Sequence, residues 1–438
     1  MGAFLWAMLC AVGFVTLGDP GVQVAPAVGL LVLWGAGAAL LPSPPGGPGR
    51  VFAAALAVRA VLWTGPLWLS TDLYRYLWEG RAVLLGGDPY LYAPAWEGWP
   101  VDAIRARVNH PEVSSIYPPG AMALYAGIAA IWYHPQMVRA VFGLADAALA
   151  GLLAATLQGR RRSPRGAWIY ALHPLGAVEA AGSGHLDALA LLLGVAAIGA
   201  WDRRRKGEGG EGGVGWATLG MGVKLLPGVL LPTLLRGAPD RVRWGALAVS
   251  LGLLGLLTAP YLEAGPHLLR GLGTYAARWS FNGSLHPVLE AGLGGLGADP
   301  ALARPLGVLL AGSVVGLLAW RRRDPAEVAL WAGAAFVLLS PTVHPWYVAW
   351  AWVPALLCGV RAWTALATLT PLAYVVLATL DPSTGIWQER PWTAPTIYLP
   401  FFLLLATEWA ARQILPGPWA ATPAAGGSSS RSPTPPAP

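Results

Sequence analysis

Val51–Leu69 reads VFAAALAVRAVLWTGPLWL, and Ser70–Arg81 follows at once as STDLYRYLWEGR. The first stretch has the length and apolarity of a bilayer-crossing helix, for which about 18–20 residues suffice. The second is dense in charge and aromatic rings. A membrane helix that delivers a polar segment directly at its end is the theme of the whole chain. Apolar runs of this kind recur at Gly2–Leu17, Val24–Leu41, Ala140–Leu157, Ala167–Ala181, Leu186–Trp201, Trp216–Leu235 and Trp244–Tyr261. They continue at Leu306–Trp320, Val328–Leu339, Trp346–Val360, Ala362–Leu380 and Ile397–Ile414.

The expected fold is all-α: a polytopic transmembrane protein of about twelve to thirteen membrane helices with a large first external loop. Composition agrees. Of 438 residues 55% are hydrophobic and only 12% charged, about half the charge a soluble domain needs to cover its surface. The 56 glycines and 40 prolines are tolerated in membrane helices. The net charge of +7 does not point to nucleic acid, because the cations cluster in short loops between apolar runs. Cys10 and Cys358 lie in apolar stretches and suggest neither a disulfide framework nor a zinc site. The N-terminal run lacks a positive flank and a small-residue cleavage site, so it reads as a retained helix.

Lysine and arginine orient the chain. Arg50, Arg160–Arg165, Arg203–Lys206, Arg236–Arg243, Arg321–Arg323 and Arg361 are assigned to the cytoplasm. Ser70–Pro119, Gly182–His185, Leu262–Pro287, Thr342–Pro345 and Asp381–Pro395 then face outward. This scheme requires that Gly120–Tyr133, or a neighbour, does not cross fully. It also turns Trp216–Leu235 into two short hops joined near Gly222–Pro227. Residues 1–420 form one membrane domain with external loop 70–119. Ala421–Pro438, rich in Ser, Pro and Gly, reads as a disordered cytoplasmic tail.

Candidate site residues come from the external turns. Ser70 or Thr71 can cap a helix on which Asp72, Arg75 and Glu79 form one stripe. An ordinary first-turn carboxylate and an i,i+4 ion pair would look the same, but this stripe opens the largest external loop. His185 and Asp187 lie in GSGHLD between two membrane helices, where an ionisable Asp is a functional candidate by default. Lys224 is alone in GMGVKLLPGVLLP, with no other charge from Glu211 to Arg236. A lysine there costs roughly 2.5–3.5 kcal/mol on insertion scales and must snorkel or find an anion, of which a phosphate is one. His344 sits in the corner SPTVHPWY. Five of the seven histidines, His110, His134, His173, His286 and His344, precede proline and so mark helix ends. His134, His173 and His286 read as wet interfacial residues. No metalloprotease, P-loop or serine-hydrolase signature occurs.

Taken in order, Asp72 with YRYLWEGR, Asp88-Pro89-Tyr90, His110-Pro111, Tyr117-Pro118-Pro119, GHLD at Gly184–Asp187, Lys224 and SPTVHPWY at Ser340–Tyr347 resemble bacterial glycosyltransferase family 87. They are also similar to the related polyprenol-phosphomannose-dependent mannosyltransferases of GT-C type. The resemblance spans about Val51 to Ile414. It implies sugar transfer, with mannose expected, from a polyprenyl-phosphate donor to a glycan or lipid acceptor on the outer face of the cell membrane, with inversion. It further implies Asp72 as general base and Lys224 against the phosphate, assisted by His344 or Arg75. His185 and Asp187 would hold donor or sugar hydroxyls, and Trp78, Tyr90 and Tyr117 would line the sugar subsite. Glu79, His110 and Tyr347 complete the candidate substrate-binding set. Family members often carry two adjacent acids where this chain has Thr71-Asp72, which leaves a single-carboxylate role with no metal or cofactor expected. The rival reading, a lipid or polysaccharide flippase, calls for inverted hydropathy repeats, and none is visible. A non-catalytic scaffold would need neither the lone lysine nor the dense acidic loop.

Overall fold

The computed structural model describes residues 2–17, 20–67, 69–210, 212–236, 238–321, 324–381 and 387–414. The expected C-terminal tail lies outside the described residues. The described chain is helical, with one isolated bridge between Phe281 and Thr342. Six helical stretches are long and apolar enough to cross a membrane: Gln23–Leu40, Pro135–Gly159, Asp240–Arg278, Pro300–Arg321, Ala362–Thr379 and Thr393–Ala411. The other apolar runs resolve into shorter or broken helices, and the breaks carry the site.

The elements that position the site begin with α1 (Pro48–Trp63), α2 (Asp72–Leu84), α3 (Pro119–Ile131) and α4 (Pro135–Gly159). With 13 residues, α3 is roughly 20 Å long and too short to cross. It packs on α2 instead, at a point where a Cβ on Gly80 would lie 2.2 Å from the Tyr125 carbonyl oxygen. Only glycine permits that approach. Tyr76, Tyr117 and Tyr125 fill the seam edge-to-face and stacked. Pro119–Ile131 is thus one of the shorter apolar helices, below the length of a full crossing.

Next, α4 starts beside the end of α1, where Arg139 donates to the carbonyls of Leu62 (2.6 Å) and Gly65 (2.9 Å). It runs to an opposite, basic end. There Arg160 meets Asp202 at 2.7 Å and Asp324 at 2.9 Å. Lys206 donates to the Gly159 carbonyl, Arg162 to that of Leu357, Arg165 to that of Ala39 and Arg236 to that of Trp320. Cations assigned to one side by sequence thus gather at one end of the bundle.

The run Ala167–Ala181 is not one helix. α5 (Arg165–Leu172) stops at His173 because Pro174 removes an amide donor and disfavours the helical region before it. After a short turn, Val178–Gly182 is a single π-turn. α6 (Asp187–Arg205) returns to the basic end. α7 (Gly213–Val223) leaves that end, Lys224 takes an extended conformation, and Pro227 sits in a tight turn before α8 (Leu231–Arg236). Gly213 lies against Ala197, Ala200 and Leu234. The two hops therefore form a hairpin with both feet at the basic end and Lys224 at its tip.

Four of the five pre-proline histidines mark helix starts, and His134 and His173 each accept an amide of the following turn, whereas His110 lies in a loop. His173 and His286 are buried rather than wet, at 0% and 1% exposure, and His173 reaches the Thr368 hydroxyl at 3.1 Å.

Within the bundle Arg59 of α1 pairs with Asp146 of α4, both almost wholly buried, and Tyr170 of α5 donates to the same carboxylate. Removing one partner of such a pair strands a charge. Asp146→Asn should therefore cost roughly 3–5 kcal/mol and lower the thermal midpoint of the detergent-solubilised protein. Arg59→Met with Asp146→Leu should recover most of the loss. A double variant less stable than the single one would contradict this account.

Candidate functional site

Opposite the basic end, four breaks in the helices meet: the start of α2, the π-turn, the tip of the hairpin, and the corner before α9 (Ala349–Cys358). Each break leaves a polar side chain at the same place.

Asp72 is the first residue of α2 and is 26% exposed. Its amide donates to Ser70 Oγ at 3.2 Å, and its Oδ1 accepts from Asn109 Nδ2 at 2.9 Å. Its Oδ2 stands 3.9 Å from His185 Nε2. Ser70, rather than Thr71, is thus the side chain that meets the helix start. The loop carrying Asn109 is held by Arg75, whose guanidinium donates to the carbonyls of Asn109 (2.5 Å), His110 (2.8 Å) and Val113 (3.0 Å).

His185 lies flat on Trp346, ring centroids 3.7 Å apart, and His344 stacks on Trp346 at 4.4 Å and 2°. The corner that brings the latter two rings is pinned by backbone bonds Phe281–Pro341 and Val343–Phe281. Burial and the nearby cations push His344 down to about 4, against the pull of Asp72. It is therefore neutral at pH 7, able to donate one hydrogen bond but not to supply charge.

Lys224 Nζ lies 2.6 Å from Asp187 Oδ1, with its side chain 22% exposed. Trp350 Nε1 donates to the same oxygen at 2.6 Å. The ammonium stands 5.2 Å from the Tyr347 ring and 6.0 Å from that of Trp350, an arrangement worth about 0.5–2 kcal/mol. Tyr347 bonds Tyr275 hydroxyl to hydroxyl at 2.8 Å. The anion required by the lone lysine is thus already present as Asp187.

The structure accordingly brings together Asp72, His185, Asp187, Lys224, His344 and Tyr347. It places the others in the frame of loop 70–119. Arg75 is spent on carbonyls and on Glu79, 3.6 Å away, and is not free to assist a phosphate. Trp78 packs edge-on against Trp99. Tyr90 is buried and donates to the Tyr117 carbonyl at 2.7 Å, while Tyr117 belongs to the tyrosine seam. His110 takes a left-handed conformation, φ 46°, with its ring against Trp279.

Sequence reading missed Asn109, Trp346 and Trp350 as members of the cluster, and with them Glu179, whose Oε2 lies 3.0 Å from His185 Nδ1, and Tyr374, which donates to Glu179 Oε1. Glu179 carried a usable signal, an acid inside the apolar run Ala167–Ala181, the same ground that singled out Asp187. The tryptophans read as ordinary interface anchors.

The model of glycosyltransferase family 87 matches residues 116–341, just over half of the chain. The model of the MptB C-terminal domain matches residues 281–408. No curated protein matches the chain. The first range contains His185, Asp187 and Lys224, and the two together contain His344 and Tyr347. Asp72 precedes both, so its place in the site rests on geometry alone.

Burial of Glu79 raises its carboxyl to about 7 despite Arg75. The folded protein then holds a proton that the unfolded chain releases near 4.5, so stability falls as pH rises from about 4.5 to 7. Thermal midpoints of the wild type and of Glu79→Gln, measured in detergent, should therefore change relative to each other across that window, with the wild type losing ground. A constant difference from pH 4.5 to 8 would refute the burial account.

Proposed function

The chain belongs to glycosyltransferase family 87, and from that premise we propose that it carries mannose from a polyprenyl-phosphate donor to a glycan or lipid acceptor, with inversion at the anomeric carbon. It is a multi-pass membrane glycosyltransferase. The choice of mannose leans on the match to the MptB C-terminal domain. The observation that carries the reading is a partly exposed carboxylate and a partly exposed ammonium in one cluster, with the His185–Trp346–His344 stack beside them.

An inverting displacement needs a base on the acceptor side and positive charge on the leaving side. Asp72 is suited to the first task. Asn109 holds one of its oxygens and leaves the other to take the acceptor hydroxyl's proton. Lys224 is suited to the second. Its ammonium has three donors, of which Asp187 takes one, and the others can meet phosphate oxygens. Asp187 keeps the ammonium charged and in place, and Trp350 shares the load on that carboxylate. His344, neutral at working pH, donates to a phosphate or sugar oxygen. The lipid tail of the donor stays in the bilayer beside the hairpin tip.

The gathering of arginines at the opposite end supports a site on the outer face of the cell membrane. Single cysteines at the exposed positions Glu97 and Glu208 test this with a membrane-impermeant maleimide. Glu97→Cys should label in intact cells, and Glu208→Cys only after permeabilisation. The reverse pattern would overturn the orientation.

Chemistry is tested in membranes with radiolabelled polyprenyl-phosphomannose. Asp72→Asn should lower turnover by at least about 10²-fold, the usual range for a general base. Lys224→Met should raise the apparent KM for donor by about tenfold or more, the weight of a charge-assisted hydrogen bond. Wild-type turnover in the first variant removes Asp72 as base, and an unchanged donor KM in the second removes Lys224 from the phosphate.

A further inference from the structure

A carboxylate inside an apolar run survives only with partners, and Glu179 has two. Tyr374 donates to its Oε1 at 2.6 Å, and His185 Nδ1 lies 3.0 Å from its Oε2. The local backbone is built for this meeting. Pro174 breaks the preceding helix, and the π-turn Val178–Gly182 admits an extra residue to the turn. Gly184 then adopts φ 78°, and the His185 amide returns to the Glu179 carbonyl at 2.9 Å. Residue 179 is thereby aimed at residue 185 through both backbone and side chain. On the far side of the ring, His185 Nε2 lies 3.0 Å from Ser70 Oγ and 3.9 Å from Asp72.

We propose that Glu179 is a positioning residue for glycosyl transfer: it orients His185 and stabilises the imidazolium formed when Asp72 hands on the proton taken from the acceptor. This rests on the reading of Asp72 as the base. In the step, the acceptor O–H bond breaks and its oxygen bonds the anomeric carbon. The bond from that carbon to the phosphate oxygen breaks, with its electron pair leaving on phosphate. The proton passes from Asp72 to His185 Nε2, directly or across the Ser70 hydroxyl. The Glu179 carboxylate at Nδ1 favours arrival of the proton on the far nitrogen of the ring. A carboxylate on Nδ1–H holds the ring's tautomer and balances the charge that arrives, as in hydrolase triads. Tyr374 in turn holds Glu179.

The other charged or titratable groups around His185 are Asp187 on α6, His344 on the corner, Lys224 at the hairpin tip and, lining the same small pocket, Asp146 and Tyr170. Among them Glu179 alone has a hydrogen-bonding distance to the His185 ring through Nδ1.

The test compares Glu179→Gln, Glu179→Asp, Tyr374→Phe and Asp72→Asn in membranes supplied with radiolabelled polyprenyl-phosphomannose, in H2O and D2O. Glu179→Gln should lower kcat by about 10²-fold or more, leave the donor KM within about threefold, and raise the solvent isotope effect as proton transfer becomes limiting. Glu179→Asp should recover part of kcat, and Tyr374→Phe should show the same isotope signature with a smaller loss. Wild-type kcat in Glu179→Gln overturns the proposal. So does a joint change of kcat and KM with an unaltered isotope effect, the mark of a merely structural role. If Glu179→Gln fails to fold, an unaltered isotope effect in Tyr374→Phe overturns it equally. Should Asp72→Asn turn over at the wild-type rate, the base assignment falls and this inference with it. A dead Asp72→Asn beside a normal Glu179→Gln sinks this inference alone.

Discussion

Lys224 and Asp187 meet at 2.6 Å, and much of the site's shape depends on that contact. The hairpin that carries the lysine has both feet at the basic end and only short helices, 11 and 6 residues long. Neither could hold a bare ammonium away from water. Asp187 compensates the charge, and Trp350 binds the same carboxylate oxygen. Three chain segments far apart in sequence, at 187, 224 and 350, are thus tied at one point. An isolated charge at this depth is costly, so the tie also selects the hairpin over a straight crossing.

Broken helices do similar work elsewhere. Proline at 174, 227 and 345 and the π-turn at Val178–Gly182 interrupt elements where polar side chains are needed. Irregular backbone is tolerated at membrane depth where it is covered by protein or lines a cavity. Here the exposed backbone polar groups are answered locally: Arg139 takes the carbonyls of Leu62, Gly65 and Ala181, and His173 takes the amide of Leu175. Loop 70–119 is fastened likewise, with Arg75 on three carbonyls and Arg105 on those of Pro94, Trp96 and Trp99. Arginine suits this because its planar fork satisfies several acceptors at once.

The division among the candidate residues follows the same physics. Asp72, Lys224 and His344 keep part of their surface exposed, and each has a protein group against it: Asn109, Asp187 and Trp346. Arg75, Glu79, Tyr90 and Tyr117 are as polar in sequence, yet they are consumed in building the loop. Which polar residue stays partly exposed in the cluster and which fastens the frame depends on partners 27 to 38 residues away, and no local pattern encodes that.

Hydropathy and the arginine clusters alone determined that the chain is a polytopic helical membrane protein and that Lys224 stands at a turn. These are properties of the solvent: a bilayer sets helix length and the cost of each charge, and both are readable residue by residue. Spacing also singled out Asp72, His185, Asp187 and His344 as polar residues in improbable places. Only the tertiary structure decided that these four belong to one cluster, that Asp187 is the partner of Lys224, and that Glu179, Tyr374 and Asn109 stand behind His185 and Asp72. Apart from Glu179 and His185, six positions apart, those contacts join residues 37 to 195 positions apart. Their energy comes from desolvated charge meeting a specific partner, which depends on how the helices pack and leaves no period or motif in the chain.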